Sequence, residues 1–132
     1  MSKPFKAIVP SPYEPAYQAY KFAPAVVVGD QVHVSGLIGY DETGAVPDDL
    51  AEQIRNILGH LELILGEAGA SLPGVFSLTS YHVGDVAAQM PEFIAQQSSV
   101  LGAPHPAWTA IGVSSLALPG AKLEVSAIAR LP

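Results

Sequence analysis

AVVVGDQVHVSGLIGY, residues 25–40, is the stretch on which the fold turns. Val26–Val28 is a β-branched run. Gly29-Asp30 is a turn signal, and Gln31–Ser35 resumes with Val32 and Val34 alternating against Gln31, His33 and Ser35. That is a hairpin with one face turned to a core. Gly36 and Gly39 then interrupt the second strand. Glycines inside a strand pattern mark a bulge or a place where another group approaches the backbone closely.

Working outward, residues 1–24 hold five of the twelve prolines and three of the five tyrosines. They have neither helical nor strand periodicity of useful length, and read as an ordered Pro/Tyr-rich arm with a short strand near Phe5–Val9. Downstream of the hairpin, DDLAEQIRNILGHLELILGEAGAS carries Leu50, Ile54, Ile57, Leu58, Leu61, Ile64, Leu65 and Ala68 in one stripe at helical spacing. Asp49 followed by Glu52 predicts a capping-box-like start, and Gly69 the C-terminal stop. Gly59 and Gly66 inside this helix each cost about 1 kcal/mol against Ala, tolerable if that side abuts another backbone closely. His60 falls on its solvent half.

Val75–Val83 reads as a strand and VAAQMPEFIAQQSSVLG as a weaker helix, with Pro91 expected in its first turn. AWTAIGV and AKLEVSAIARL read as two final strands joined through the turn signal LPGAK. The order β-β-β-α-β-α-β-β fits an α+β domain over residues 1–132, with helices on one face of a mixed sheet.

Composition excludes several classes. The 132 residues carry six basic and twelve acidic side chains, a formal charge of -6, and the six bases are scattered. Nucleic acid and anionic membranes, which require clustered cations, are therefore not expected partners. There is no cysteine, hence no disulfide frame, thiol nucleophile or thiolate metal site. No apolar run reaches the length of a membrane span, and the first residues lack the apolar core of a signal peptide. The expected setting is cytosolic. At 49% hydrophobic and 14% charged residues, the chain is apolar for its size, which points to surface covered by further copies of itself.

Chemistry-bearing motifs are few. No P-loop or dinucleotide fingerprint is present, and Ser35 sits in no nucleophile elbow. His33, His60, His82 and His105 form neither an i, i+4 pair on a helix nor a His-x-His pair; no metal or cofactor is expected. Glu124, flanked by Leu123 and Val125, has two placements under strand alternation. It points to solvent, or it sits on a half-buried face, where its pKa would rise and suit it to acid–base work. His105, between Pro104 and Pro106, is either an ordered loop residue or a proton-transfer partner. Tyr81, with Tyr17 and Tyr20, is a further polar candidate. Trp108, the one tryptophan, stands where a proline-stiffened loop enters a strand, in PHPAWTAIGV, residues 104–113.

Taken in order, VVVGDQVHVSGLIG, QIRNILGHLELILGEAGAS, LTSYHVGD and HPAWTAIGVSSLALPGAKLEVSAIAR make the chain from about Phe22 to Pro132 resemble the RidA/YjgF family of small enamine/imine deaminases. The resemblance implies a chorismate-mutase-like α+β fold with a six-stranded mixed sheet and two helices on one face. It also implies a homotrimeric barrel with small-molecule clefts between subunits. In those clefts Ser35 and Gly36 match the Ser-Gly whose backbone approaches the ligand. Glu124 matches the acidic residue that orders water. Phe22 falls where the family has tyrosine, and Phe93 near its cleft asparagine. Trp108 falls on the arginine that clamps the substrate carboxylate. Arginine gives a charged bidentate fork; indole gives one N–H and a broad apolar face. The resemblance therefore implies a less polar cleft, without standard deamination of 2-imino acids. What remains is hydrolysis or tautomerisation of a neutral or aromatic imine, enamine or carbonyl compound. The alternatives are a non-catalytic small-molecule-binding or regulatory trimer, and a structural trimer whose cleft the indole plugs.

Overall fold

The computed structural model describes residues 2–132. Three strands come from the N-terminal third: β1 (Lys6–Ile8), β2 (Ala25–Val28) and β3 (Gln31–Ile38). Helix α1 (Glu14–Tyr20) lies between β1 and β2. Then follow α2 (Leu50–Ala68), β4 (Val75–Val83), α3 (Val86–Leu101), β5 (Ala107–Val113) and β6 (Leu123–Arg130). The six strands form one mixed sheet in the order β1-β2-β3-β6-β4-β5, with β4 and β5 parallel and every other pair antiparallel. The parallel pair needs a crossover, and α3 supplies it.

Alternation assigns the two faces of the sheet. Along β6, Leu123, Val125, Ala127 and Ala129 are buried, while Glu124, Ser126 and Ile128 are half-buried and Arg130 is exposed. Val32 and Val34 of β3 and Leu78 of β4 join the buried side. The stripe of α2 covers that face with Ile54, Ile57, Leu58, Leu61, Ile64 and Leu65, and α3 adds Phe93 and Leu101. Each such side chain contributes about 1.5–3 kcal/mol on burial, and this apolar layer holds helices to sheet.

Both expectations for the strand glycines hold, each at its own residue. Between the pairs Val34–Ala127 and Leu37–Val125, β3 advances three residues while β6 advances two, so Ser35-Gly36 forms a bulge. Gly39 marks a close approach: a Cβ there would overlap the Gln53 carbonyl oxygen and lie 2.7 Å from its Cα, so α2 passes directly over the end of β3. Gln53, wholly buried, fixes the same corner. Its Nε2 donates to the Pro47 and Gly120 carbonyls at 2.7 and 3.1 Å, and its Oε1 accepts from Lys122 N–H at 2.9 Å. That anchors the chain entering β6 just ahead of Glu124.

Several local expectations are corrected. The arm contains a helix, α1, that sequence periodicity did not show, because all its residues are at least partly exposed and it has no buried stripe. Pro15 stands in its first turn and Lys21 ends it in the left-handed region at φ 62°. Among the described residues the α-helices thus number three, the two long ones sharing the buried face. Strand β3 runs through Gly36 to Ile38 instead of stopping at Ser35, and Gly39 follows its end. Asp49 is the N-cap of α2, yet its side chain makes no capping bond. A Cβ at Gly59 or Gly66 would meet nothing within 4 Å, so no close backbone explains them. Pro91 lies inside α3 and not in its first turn, since the helix starts five residues earlier at Val86, where Asp85 caps Ala87 N–H.

His60 is half-buried, with both ring nitrogens bonded. Its Nε2 donates to the Tyr40 carbonyl at 3.0 Å, so Nδ1 is the acceptor for the Tyr13 hydroxyl at 2.7 Å. Burial lowers the His60 pKa, and the bond to the Tyr40 carbonyl offsets part of that effect. Burial and the nearby Tyr40 raise the Tyr13 pKa to about 12. The arm is pinned to α2 through this pair.

Candidate functional site

The predicted site residues separate into two groups on opposite faces of the sheet. On the face not covered by the long helices, Glu124 pairs with Ile38 of β3 on one side and Tyr81 of β4 on the other. Its carboxylate lies over Gly36: a Cβ on Gly36 would overlap it and stand 2.6 Å from Glu124 Cδ. The bulge and the missing side chain together make room for the carboxyl group against the backbone. Burial raises the Glu124 pKa above the ordinary carboxylate value. Of the two placements that alternation permits, the half-buried one is found, with the side chain on the open face yet shielded by its neighbours. Ser35 is turned into the chain, its Oγ donating to the Ala23 carbonyl at 2.6 Å and its N–H to the Pro24 carbonyl at 2.9 Å. Those bonds hold the segment that presents Phe22, which is 46% exposed.

Trp108 belongs to the other face. It pairs in register with buried Leu78, and cross-strand partners share a side of the sheet. The indole is half-buried against the core, its ring centroid 5.4 Å from that of Phe93. Its Nε1–H donates to Ser80 Oγ at 2.8 Å. Ser80 Oγ is 2.7 Å from His82 Nε2, and His82 Nδ1 is 2.8 Å from Gln89 Oε1. Phe93 is 1% exposed and stands behind the indole, edge-on to His82 at 5.9 Å. It supports the wall and offers no surface of its own.

His105 is exposed in the loop before β5. Strand register keeps it from Glu124. Ala107, the first residue of β5, pairs with Ser77, whereas Ile111 pairs with Tyr81, the partner of Glu124. The four residue steps from Ala107 to Ile111 span about 13 Å of strand, and His105 lies farther out still. Within one chain, then, the structure brings together Glu124, Gly36 and Tyr81, and separately Trp108 and Phe93. It joins neither Trp108 nor His105 to Glu124.

Sequence reasoning missed Ser80, His82 and Gln89. The signal was available in the alternation of Ser80 and His82 with Thr79 and Tyr81, which places both on the buried side with Leu78. It missed the Tyr13–His60 pair because the two residues are 47 positions apart. A groove of about 420 Å³ between α2 and α3, edged by Arg55, Gly59 and Glu62, contains none of the predicted residues. A smaller depression of about 200 Å³ lies on the open face, among His33, Ser77, Thr79, Ser126 and Ile128. Among the described residues, no three His, Asp or Glu side chains are grouped to hold a metal ion, and no helix is long and apolar enough to cross a membrane.

Residues 14–131 match the family model described as Endoribonuclease L-PSP. The RutC family protein YjgH of Escherichia coli is 32% identical over 127 residues, covering 96% of this chain and 95% of the relative. A solved YjgH structure superposes with a TM-score of 0.85 at 30% identity, over 98% of each chain. Rv2704 of Mycobacterium tuberculosis, described as a member of the YjgF/YER057c/UK114 family, gives 0.80 at 27% identity over 96% of this chain and 99% of its own. Escherichia coli TdcF, solved with bound serine, gives 0.74 at 27% identity over 84% and 88%.

Proposed function

The chain belongs to the Endoribonuclease L-PSP family, the RidA/YjgF group, and from that premise we propose that it assembles as a homotrimer whose inter-subunit clefts take a small imine-, enamine- or carbonyl-type metabolite in the cytosol. The ligand is neutral or aromatic and not a 2-imino acid. The observation that carries this reading is the orientation of Trp108. At the position where the family resemblance puts a carboxylate-clamping arginine, the chain has an uncharged ring whose single N–H is already bonded to Ser80. A carboxylate brought there would lose its water shell and gain no charged partner, which is unfavourable.

Assembly follows from the separation of the two groups. Trp108 and Glu124 lie on opposite faces of one chain's sheet, so a cleft that uses both requires a second copy. Strand β5 is an open edge with no charged residue and no proline in AWTAIGV, and natural sheet edges are normally protected by such residues. Ile111 is 41% exposed on it.

Glu124 is the residue for chemistry. Desolvation raises its pKa, so the carboxyl can hold or release a proton nearer neutrality than an ordinary glutamate. Its role is to order or activate water, with Tyr81 beside it and Ser35-Gly36 as the close backbone; His105 of a neighbouring copy is the candidate to share the proton. The name endoribonuclease is not carried over to this chain, because its scattered bases and charge of -6 do not suit a phosphate backbone. A second reading, a binder without turnover, draws on the same indole. Packed on Phe93 and bonded to Ser80, Trp108 leaves no charged group to position a reacting substrate on its side of the cleft.

The test is turnover of 2-aminoacrylate-type imines generated in place by a dehydratase. Wild type is expected to leave the nonenzymatic decay rate unchanged, and Trp108→Arg to accelerate it. Efficient deamination by wild type would overturn the reading of Trp108.

A further inference from the structure

A polar chain runs through the core behind Trp108, and its donors and acceptors can be assigned one by one. Gln89 Nε2 donates to the Val83 carbonyl at 2.9 Å and the Lys122 carbonyl at 3.3 Å. That fixes the amide so that Oε1 faces His82 Nδ1 at 2.8 Å. An amide oxygen only accepts, so Nδ1 carries the hydrogen. In the neutral ring Nε2 is then the acceptor, and the group facing it at 2.7 Å is the Ser80 hydroxyl, which donates. The Ser80 oxygen in turn accepts the indole N–H at 2.8 Å. Hydrogens point in one sense from Trp108 through Ser80 to His82, and His82 is held from its far side by Gln89.

Ser80 and His82 are 0% exposed and Gln89 is 8% exposed. A buried network that lacked one partner would be costly. This one is complete, and it ends on two backbone carbonyls, one at the end of β4 and one just ahead of β6. Phe93 packs against both rings, 5.9 Å from His82 and 5.4 Å from Trp108 between centroids. The indole is therefore gripped at its N–H edge and supported from behind. Its remaining surface offers neither a hydrogen-bond donor nor a charge.

We propose that Ser80, His82 and Gln89 are positioning residues that hold the Trp108 indole as a fixed, donor-free wall, and that the part of the ligand lying against it is planar and uncharged. This rests on the reading above that Trp108 lines the ligand cleft. The network itself does not, because it exists in the free chain. Three polar groups occupy core positions that apolar residues would fill at less desolvation cost. Fixing the plane of the ring gives them a use, since a preorganised surface loses less freedom when a ligand stacks on it.

The single tryptophan makes the test direct. In the free protein, one indole N–H resonance is expected, slow to exchange with water, with His82 in the Nδ1–H tautomer by ring nitrogen NMR. Ser80→Ala should speed that exchange by about tenfold or more, and Ser80→Thr should restore protection. Gln89→Leu, which replaces a residue three hydrogen bonds of the network away from the indole, should still move the indole resonance and release the tautomer. A wild-type indole N–H exchanging like an exposed one, or one unmoved by Ser80→Ala and Gln89→Leu, overturns the network.

Ligand class is read from Trp108 fluorescence with matched pairs, benzamide against benzoate and cinnamamide against cinnamate. The amides should quench saturably and the carboxylates bind about tenfold more weakly, with Ser80→Ala weakening the amides about fivefold. Equal or tighter carboxylate binding overturns the donor-free wall. Absence of quenching by either member of each pair, with the indole N–H still protected, overturns the placement of Trp108 in the cleft and with it the ligand assignment, while the network stands.

Discussion

The carboxylate of Glu124 fills the space that a side chain on Gly36 would need. The two residues are 88 positions apart, and the bulge in β3 brings them together. Gly36→Ala is expected to fold, because the atoms in its way belong to the end of a flexible side chain. Overpacking of this kind costs about 1–3 kcal/mol. It should also push the carboxylate outward, so that the Glu124 pKa returns toward the ordinary value. Carboxyl-carbon NMR titration of wild type and variant reads both. A Glu124 titration unchanged by Gly36→Ala would contradict the contact.

Glu124 also gives a signed pH effect on stability. Its pKa is raised in the folded state by desolvation, so the native chain keeps this proton to higher pH than the unfolded chain does. Stability is then lost as pH rises from the ordinary carboxylate value through the folded one. Glu124→Gln should remove that component, leaving the variant relatively more stable above the window and little changed below it. Urea midpoints across pH 3–8 measure this (a range set by ordinary carboxylate and imidazole values of roughly 4 and 6.5). If the protein is an enzyme acting through this group, the same variant should lower turnover about 10²–10⁴-fold.

Two glycines near α2 should respond in opposite directions. At Gly39 a methyl group would meet the backbone of Gln53, which cannot rotate away. Gly39→Ala should cost about 3 kcal/mol or more, or prevent folding. At Gly59 a Cβ meets nothing, and Gly59→Ala should gain about 1 kcal/mol from helix propensity. Thermal unfolding of the pair checks whether α2 crosses β3 as described.

The Tyr13–His60 bond predicts an acid limb. Burial lowers the folded pKa of His60, so the unfolded chain takes up this proton first as pH falls. Stability from this group is complete above about 6.5 and lost as pH drops through the folded value. Tyr13 works at the other end. With its pKa raised to about 12, stability declines between the ordinary value of 10.0 and that figure. Tyr13→Phe leaves His60 Nδ1 without its donor and should cost about 1–3 kcal/mol near neutral pH, with the alkaline decline reduced. Denaturant midpoints against pH read both limbs.

Edge strand β5 should control assembly. Thr109 and Ile111 are exposed, and a charge at either position is a standard guard against edge contacts. Thr109→Lys or Ile111→Lys should shift sedimentation from trimer toward monomer at micromolar concentration. A monomeric wild type would remove the shared cleft from the functional proposal.

Much of this architecture was legible in the sequence because it rests on short periodicities. The β2–β3 hairpin, the α2 stripe and the alternation in β6 each declare a buried face within ten to twenty residues. Strand β4 was read at its observed limits for the same reason. Helix α1 was not, since an exposed seven-residue helix has no apolar stripe to declare. The site was legible only in pieces. Glu124 and the bulge glycine each carried a local sign, yet their meeting depends on register across β3 and β6. Ser80 and His82 sit at positions where alternation predicts burial, and only tertiary structure shows that their polar atoms and those of Gln89 on α3 satisfy one another. The partners of His60 were not legible because they come from the arm and from the loop after β3, and neither leaves a trace in the periodicity of α2.

The sheet order carries a further consequence for how the chain is made. Strand β6 is last in sequence and sits between β3 and β4. Until residues 123–130 have been synthesised, the N-terminal hairpin and the β4–β5 pair are two fragments with no strand joining them. Each would present an open inner edge, and contacts so distant in sequence form slowly. A nascent chain stalled short of Leu123 is therefore a pair of sticky half-sheets, and the closing strand that carries Glu124 is also the one that ends this exposure.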